Sequence, residues 1–190
     1  MVAKSIKIIA FMGAFGAGVC AEGGLFNQGD RKMSIDYKGK PDSFWKQNLK
    51  PEVYAICRQK GTEASGSGAY DHFYEKGTYY CACCGGDHAV YSSEAKYDSG
   101  TGWPSFWEPI TPGSVALKED RDGLFGWAHP RTEVVCSRCG GHLGHVFDDG
   151  PKEHTGQRYC MNSRALTFVA EGQTPKNSFG AETSQEAPKS

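Results

Sequence analysis

The chain opens with an uncharged run from Ile8 to Val19, preceded by Lys4 and Lys7 and followed by Cys20, Ala21 and the acidic Glu22. A basic start, a short apolar centre and small residues before a polar break make the three-part pattern of an export signal. The run is shorter than the roughly 20 apolar residues that cross a bilayer. It therefore predicts a cleaved signal over residues 1–21, an exported product and no stable membrane anchor. A start at Met33 is the alternative and would leave the product in the cytoplasm. Residues 22–40 are polar and Gly-rich, the pattern of a linker. Asp42 to Leu49 then predicts a short helix capped by Asp42 or Ser43. Pro51 opens a second helix through Val53, Tyr54 and Cys57.

From Gly61 onward helical periodicity is lost. Turn residues recur at Gly66-Ser67-Gly68, Gly85-Gly86, Ser99-Gly100, Pro112-Gly113, Asp122-Gly123, Gly140-Gly141 and Asp149-Gly150. Between them lie short runs of β-branched and aromatic residues: Thr78–Tyr80, Thr132–Val135 and Ala165–Val169. The spacing predicts a mainly β domain of short antiparallel strands over residues 41–171, with the short helices at its N-terminal end. Beyond Glu171 the chain is polar apart from Phe179, so residues 172–190 are expected to form a disordered tail.

Composition adds two constraints. A formal net charge of −1 over 190 residues gives no basic footprint for nucleic acid. Removing Lys4 and Lys7 with the signal leaves 19 basic against 22 acidic residues, a charge of −3. The second constraint is the eight cysteines. Cys81-x-x-Cys84-Gly-Gly and Cys136-x-x-Cys139-Gly-Gly repeat one pattern. Two thiolates two residues apart can chelate one edge of a tetrahedron, and the glycines permit the left-handed backbone of such a turn. Disulfides and a redox-active C-x-x-C are the competing readings. A bond across so short a loop is strained, and a thioredoxin-like motif occurs once, opening a helix in a βαβ setting. The spacing predicts one structural zinc ion on Cys81, Cys84, Cys136 and Cys139, with Cys83 as a spare thiol.

Of the remaining cysteines, Cys160 sits in Arg158-Tyr-Cys-Met-Asn-Ser163. Along a strand, Arg158, Cys160 and Asn162 would share a face. They would offer a cation that favours thiolate, a nucleophile and a neutral amide. A buried structural cysteine is the competing reading. His142 and His145 follow the second cysteine pair as candidate proton donors, structural histidines or alternative metal ligands. The aromatic cluster Gly102–Trp107 suits either core packing or an apolar wall for a thioether. A zinc-ribbon binding module and a secreted disulfide scaffold remain as alternative classes. The first leaves Arg158-x-Cys160-x-Asn162 unexplained.

Taken together, five segments resemble the methionine-R-sulfoxide reductase B family. They are Gly61-Thr62-Glu63, Cys81–Gly85, Ser99–Phe106, Cys136–Asp148 and Arg158–Ser163, within a likeness running from about Lys40 to Ala170. The resemblance implies two antiparallel sheets with a structural zinc at one edge. It implies that Cys160 attacks the sulfur of methionine R-sulfoxide in oxidised proteins. His145, with His142, Arg158 and Asn162, would handle the sulfoxide oxygen and water, and Trp103 would receive the methyl group. A thioredoxin-like reductant and a monomeric enzyme are implied as well. One departure stands out. Many family members carry a resolving cysteine where this chain has Thr101. Either an external thiol acts directly or another cysteine substitutes. Cys57 is favoured over Cys83, which is held on the zinc knuckle.

Overall fold

The computed structural model describes residues 35–122, 128 and 130–179. The expected export signal, Cys20, Met33 and most of the linker lie outside the described residues, as do Gly123 and residues 180–190. Helix α1 (Asp42–Asn48) begins at Pro41 with no side-chain cap. Asp42 does not cap it; its carboxylate accepts instead from the Tyr54 hydroxyl at 2.7 Å. Helix α2 (Pro51–Cys57) has Pro51 in its first turn, where the missing N–H has no intrahelical partner to lose. Neither helix is long and apolar enough to cross a membrane.

The described residues form nine strands: β1 (Gly77–Cys81), β2 (Ala89–Ser92), β3 (Lys96–Tyr97), β4 (Ser105–Phe106), β5 (Val115–Asp120), β6 (Arg131–Cys136), β7 (His142–Phe147), β8 (Arg158–Met161) and β9 (Leu166–Ala170). They form two antiparallel sheets, β2-β1-β9 and β3-β4-β8-β7-β6-β5. Three-residue 3₁₀ turns precede β3 and β9. The β-favouring runs read from the sequence appear within β1, β6 and the 3₁₀ turn with β9.

Aromatic side chains join the sheets. Tyr79 and Tyr91 of the smaller sheet hold Phe106 of the larger one, with ring centroids 5.1 and 4.4 Å from it. All three are buried, with Val90, Val134, Leu143 and Met161. Alternation in β4 therefore turns Phe106 into the core and Ser105 towards the opposite face.

The domain extends past both expected limits. Tyr37, within the expected linker, is buried and stacks 6.2 Å from Trp45. At the other end, the tail is packed rather than disordered as far as Phe179. That ring lies 5.7 Å from Phe44 and 6.5 Å from Trp45, and Asn177 donates to the Tyr37 hydroxyl at 3.0 Å. A single aromatic residue finds an apolar patch on α1, which the tail's own composition does not reveal. Because Phe106 fixes β4 against the other sheet, Phe106→Ala should lower the unfolding free energy by about 3–5 kcal/mol. Urea denaturation followed by fluorescence will measure this, and a loss below about 1 kcal/mol would show that the ring is not a main link between sheets.

Candidate active site and metal centre

The two C-x-x-C-G-G turns meet. Cys81 ends β1 with Cys84 in the turn after it, Cys136 ends β6, and Cys139 lies in the turn before β7. Gly85, Gly86 and Gly140 adopt left-handed backbone, with φ of 90°, 83° and 70°. The four thiols are buried, with all sulfurs within 4.8 Å of one another. Cys81–Cys139 and Cys84–Cys136 are both 3.8 Å apart. Thiolates about 2.3 Å from a tetrahedral ion stand about 3.8 Å apart, so the donor set fits a metal ion. The Gly141 amide adds a donor 3.4 Å from the Cys139 sulfur. A Cβ at Gly141 would come within 2.9 Å of the Cys83 sulfur, so the spare thiol fills the space behind the cluster. The described cysteines are all free, without disulfides.

A separate constellation crosses the six-stranded sheet. Tyr97, Ser105, Cys160, His145 and Glu133 stand directly opposite one another on β3, β4, β8, β7 and β6. Opposed residues in antiparallel strands share a face. Arg158 and Phe147 form the next row, with the guanidinium 4.4 Å over the ring. Gly144 permits this pairing, since a Cβ there would lie 2.1 Å from the Cys160 carbonyl oxygen.

Histidines three residues apart on a regular strand face opposite ways. In β7 the register slips: Val134 opposes Gly144 while Val135 opposes His142, leaving Leu143 extra. This bulge returns His142 to the face of His145, with ring centroids 5.3 Å apart. Each ring meets a buried carboxylate. His145 Nε2 lies 2.8 Å from Asp120, and His142 Nδ1 lies 2.8 Å from Glu133. Burial alone would push Asp120 up. Hydrogen bonds from His145 and the Asp122 amide, with the Arg131 charge, outweigh burial and hold its carboxyl down to about 2. Burial lowers His142, against the opposing pull of Glu133, and its Nε2 is buried with no hydrogen-bond partner among the described residues. Sequence reasoning missed Asp120 and Glu133. Their only trace is an acidic residue within a β run, a common occurrence on solvated strands.

Cys160 is partly exposed, and its sulfur lies 3.9 Å from the Thr101 hydroxyl. Ser99 bridges Thr101 and Ser105 at 2.8 and 2.7 Å. Arg158, expected to favour thiolate, is clamped in a bidentate pair with Asp149, both contacts 2.8 Å. Burial pushes the Cys160 thiol up and outweighs Thr101, Arg158 and Ser105, which favour the thiolate.

Asn162 lies just past β8 and is buried. Its Oδ1 accepts from the Glu63 amide at 3.0 Å, and its Nδ2 donates to the Leu143 carbonyl at 3.0 Å. The backbone thus engages the amide that was expected beside Arg158 and Cys160. Trp103 is partly exposed and donates its indole N–H to the Glu63 carbonyl at 3.0 Å. The aromatic cluster divides, since Phe106 is core while Trp107 stacks 3.8 Å from His154. Cys57 ends α2, is buried, and makes its sulfur contact with Cys83.

Two measurements follow from this geometry. Cys136→Ser should lose the bound metal and part of the folding stability, because metal-binding energy is here folding energy. Metal analysis with thermal unfolding checks this, and full metal content with unchanged melting would remove the site. A raised pKa delays ionisation, so Cys160 should react with iodoacetamide at a rate still climbing above pH 9.0, the ordinary thiol value. Arg158→Met removes a charge that favours thiolate and should move the profile further up. A plateau below pH 7 would contradict the dominance of burial.

Comparison with known proteins bears on the same segments. The SelR domain family matches residues 49–170. The chain is 52% identical to the peptide methionine sulfoxide reductase MsrB of Leptospira interrogans over 132 residues, 70% of this chain and 95% of that protein. It is 52% identical to the protein of that name from Methanosarcina mazei over 137 residues, 72% and 93% of the two chains. For the Hahella chejuensis protein of that name, identity is 47% over 134 residues, 70% and 91%. The matched region holds both cysteine pairs, Cys160, and the histidine pair with its two carboxylates, and the chain belongs to the SelR-domain family of methionine sulfoxide reductases, MsrB.

Proposed function

We propose that this enzyme reduces protein-bound methionine R-sulfoxide, with Cys160 as nucleophile and His145 as proton donor. The observation that carries the reading is their cross-strand pairing, which sets a partly exposed thiol and an imidazole side by side on one face of the sheet. A sulfoxide sulfur is a poor electrophile until its oxygen is protonated or strongly hydrogen-bonded. The ionised Asp120 calls for a hydrogen on His145 Nε2, so Nδ1 carries the proton to the oxygen. Glu133 likewise calls for a hydrogen on His142 Nδ1, leaving Nε2 a bare acceptor that orients water. Trp103 supplies the wall for the methyl group. Asn162 holds the end of β8 and faces the oxygen with Arg158.

In the first step the Cys160 thiolate bonds to the sulfoxide sulfur and the protonated oxygen passes to the cysteine. Methionine leaves, and the oxidising equivalent stays on Cys160 as a sulfenic acid. Cys57 then displaces water to form a disulfide, which a thioredoxin-type dithiol reduces. Helix α2 packs against β7, the neighbour of β8, and against the turn after β8, which supports the choice. Because a disulfide needs Cα atoms within about 7 Å, the end of α2 that bears Cys57 must stand that near Cys160 or move there during turnover. Zinc is the ion proposed for the four cysteines, since four soft thiolates at tetrahedral spacing suit it and close its coordination sphere. Its role there is structural. Cys81, Cys84, Cys136 and Cys139 hold two turns together and take no part in the reaction.

Cys160→Ser should abolish reduction while leaving the fold and metal intact. His145→Ala should lower kcat by about 10²–10⁴-fold, the usual contribution of a general acid. An assay on separated R and S epimers with dithiothreitol should show turnover of the R form only. Normal turnover by Cys160→Ser, or preference for the S form, would defeat the reading.

A further inference from the structure

The Gly61-Thr62-Glu63 segment has no task in the mechanism above, yet Glu63 is among the most completely enclosed charged groups described. Its side chain is fully buried. Burying a carboxylate is costly unless it is paired and hydrogen-bonded. The Oε1 atom accepts from the Ser163 amide at 2.5 Å. Oε2 accepts from the Arg164 amide at 3.2 Å and from its guanidinium at 3.0 Å. All three donors belong to the two residues that follow Asn162.

The main chain of the same residue reaches both proposed pocket residues. The Glu63 N–H donates to Asn162 Oδ1, and the Glu63 carbonyl accepts from Trp103 Nε1, each at 3.0 Å. One residue therefore ties Trp103 to Asn162 from opposite ends of a single peptide segment, while its carboxylate clamps the exit of β8. A tight turn delivers it there: Lys60 takes left-handed backbone at φ 55°, and the Gly61 amide closes on the Ala55 carbonyl at 3.0 Å. Space around the carboxylate is already filled, since a Cβ on Gly68 would stand 2.5 Å from Oε1.

We propose that Glu63 is a positioning residue for the sulfoxide pocket, fixing Trp103 and Asn162 around Cys160 through its backbone while its carboxylate anchors the turn after β8. The proposal rests on the reading that Trp103 contacts the substrate. Glutamine in its place would turn an NH₂ group towards N–H donors and release the anchor, displacing Trp103 without touching the thiol. Poor placement of a binding wall weakens substrate capture more than sulfur reactivity.

The test uses the full metal-loaded chain, a peptide carrying methionine R-sulfoxide, and dithiothreitol. Glu63→Gln should raise KM about tenfold, the scale expected for losing hydrogen bonds to a charged group. The iodoacetamide rate at Cys160 should stay unchanged. Trp103→Phe, which keeps a ring but loses the N–H, should raise KM similarly, and the double variant should show little further rise. If Glu63→Gln fails to fold, Glu63→Asp, too short to reach both amides, carries the same comparison with a smaller rise. A lowered melting temperature with unchanged KM, or full additivity in the double variant, would overturn the proposal. Should Trp103→Phe leave KM unchanged, the reading of Trp103 fails and the proposal fails with it. A KM effect of Trp103→Phe without one for Glu63 overturns the proposal alone.

Discussion

Strand β8 is paired on both sides, with Ser105 of β4 against one flank of Cys160 and His145 of β7 against the other. Backbone hydrogen bonding in a sheet interior leaves almost no freedom of register, because a one-residue slip would turn every side chain to the wrong face. The positions of the thiol, the imidazole and the Ser99–Thr101–Ser105 hydroxyl chain all descend from that double pairing. Gly144 makes it possible by allowing β7 and β8 to approach where any Cβ would collide with the Cys160 carbonyl. Phe106 makes it durable, since the residue beside Ser105 is held between Tyr79 and Tyr91 of the other sheet.

Around this row the protein buries several acidic side chains. Asp120, Glu133 and Glu63 are all enclosed, and each accepts hydrogen bonds from named partners. An unpaired buried carboxylate would neutralise itself by taking up a proton. Asp120 does the opposite, because the donors around it outweigh burial. Cys160 shows the reverse balance, with Thr101, Arg158 and Ser105 failing to offset its burial. Burial thus disfavours the Cys160 thiolate, whereas the donors around Asp120 keep that carboxyl ionised beside His145.

The four-sulfur cluster stands at the far end of the same strands. Cys136 closes β6 and Cys139 lies just ahead of β7, the strands that carry Glu133 and both histidines. A bound ion there would pin the turn between β6 and β7, and with it the bulge at Leu143 that sets His142 beside His145. Arg58 extends the connection to α2, donating to the Cys139 carbonyl at 3.3 Å. The helix bearing Cys57 is therefore tied to the turn that carries Cys139.

The sequence by itself determined what is local or strictly spaced. Paired C-x-x-C-G-G motifs identify a tetrahedral donor set because chelation depends on a two-residue separation. Pro51 marks a helix start because its ring fixes φ. The alternation of β-branched residues and glycine turns announced short antiparallel strands. Cys160 stood out only as the thiol left over between Arg158 and Asn162. Contacts across long stretches of chain were decided by the tertiary structure. The slip at Val134/Val135 reversed the face of His142, which no strand periodicity foretells. Asp120 and Glu133 became partners of histidines 25 and 9 residues away. Cys57 met Cys83, Phe179 found Trp45, and Glu63 reached Ser163 across 100 residues. Local patterns record the backbone's own preferences, whereas these pairings exist only once packing has brought distant segments together and removed the water between them.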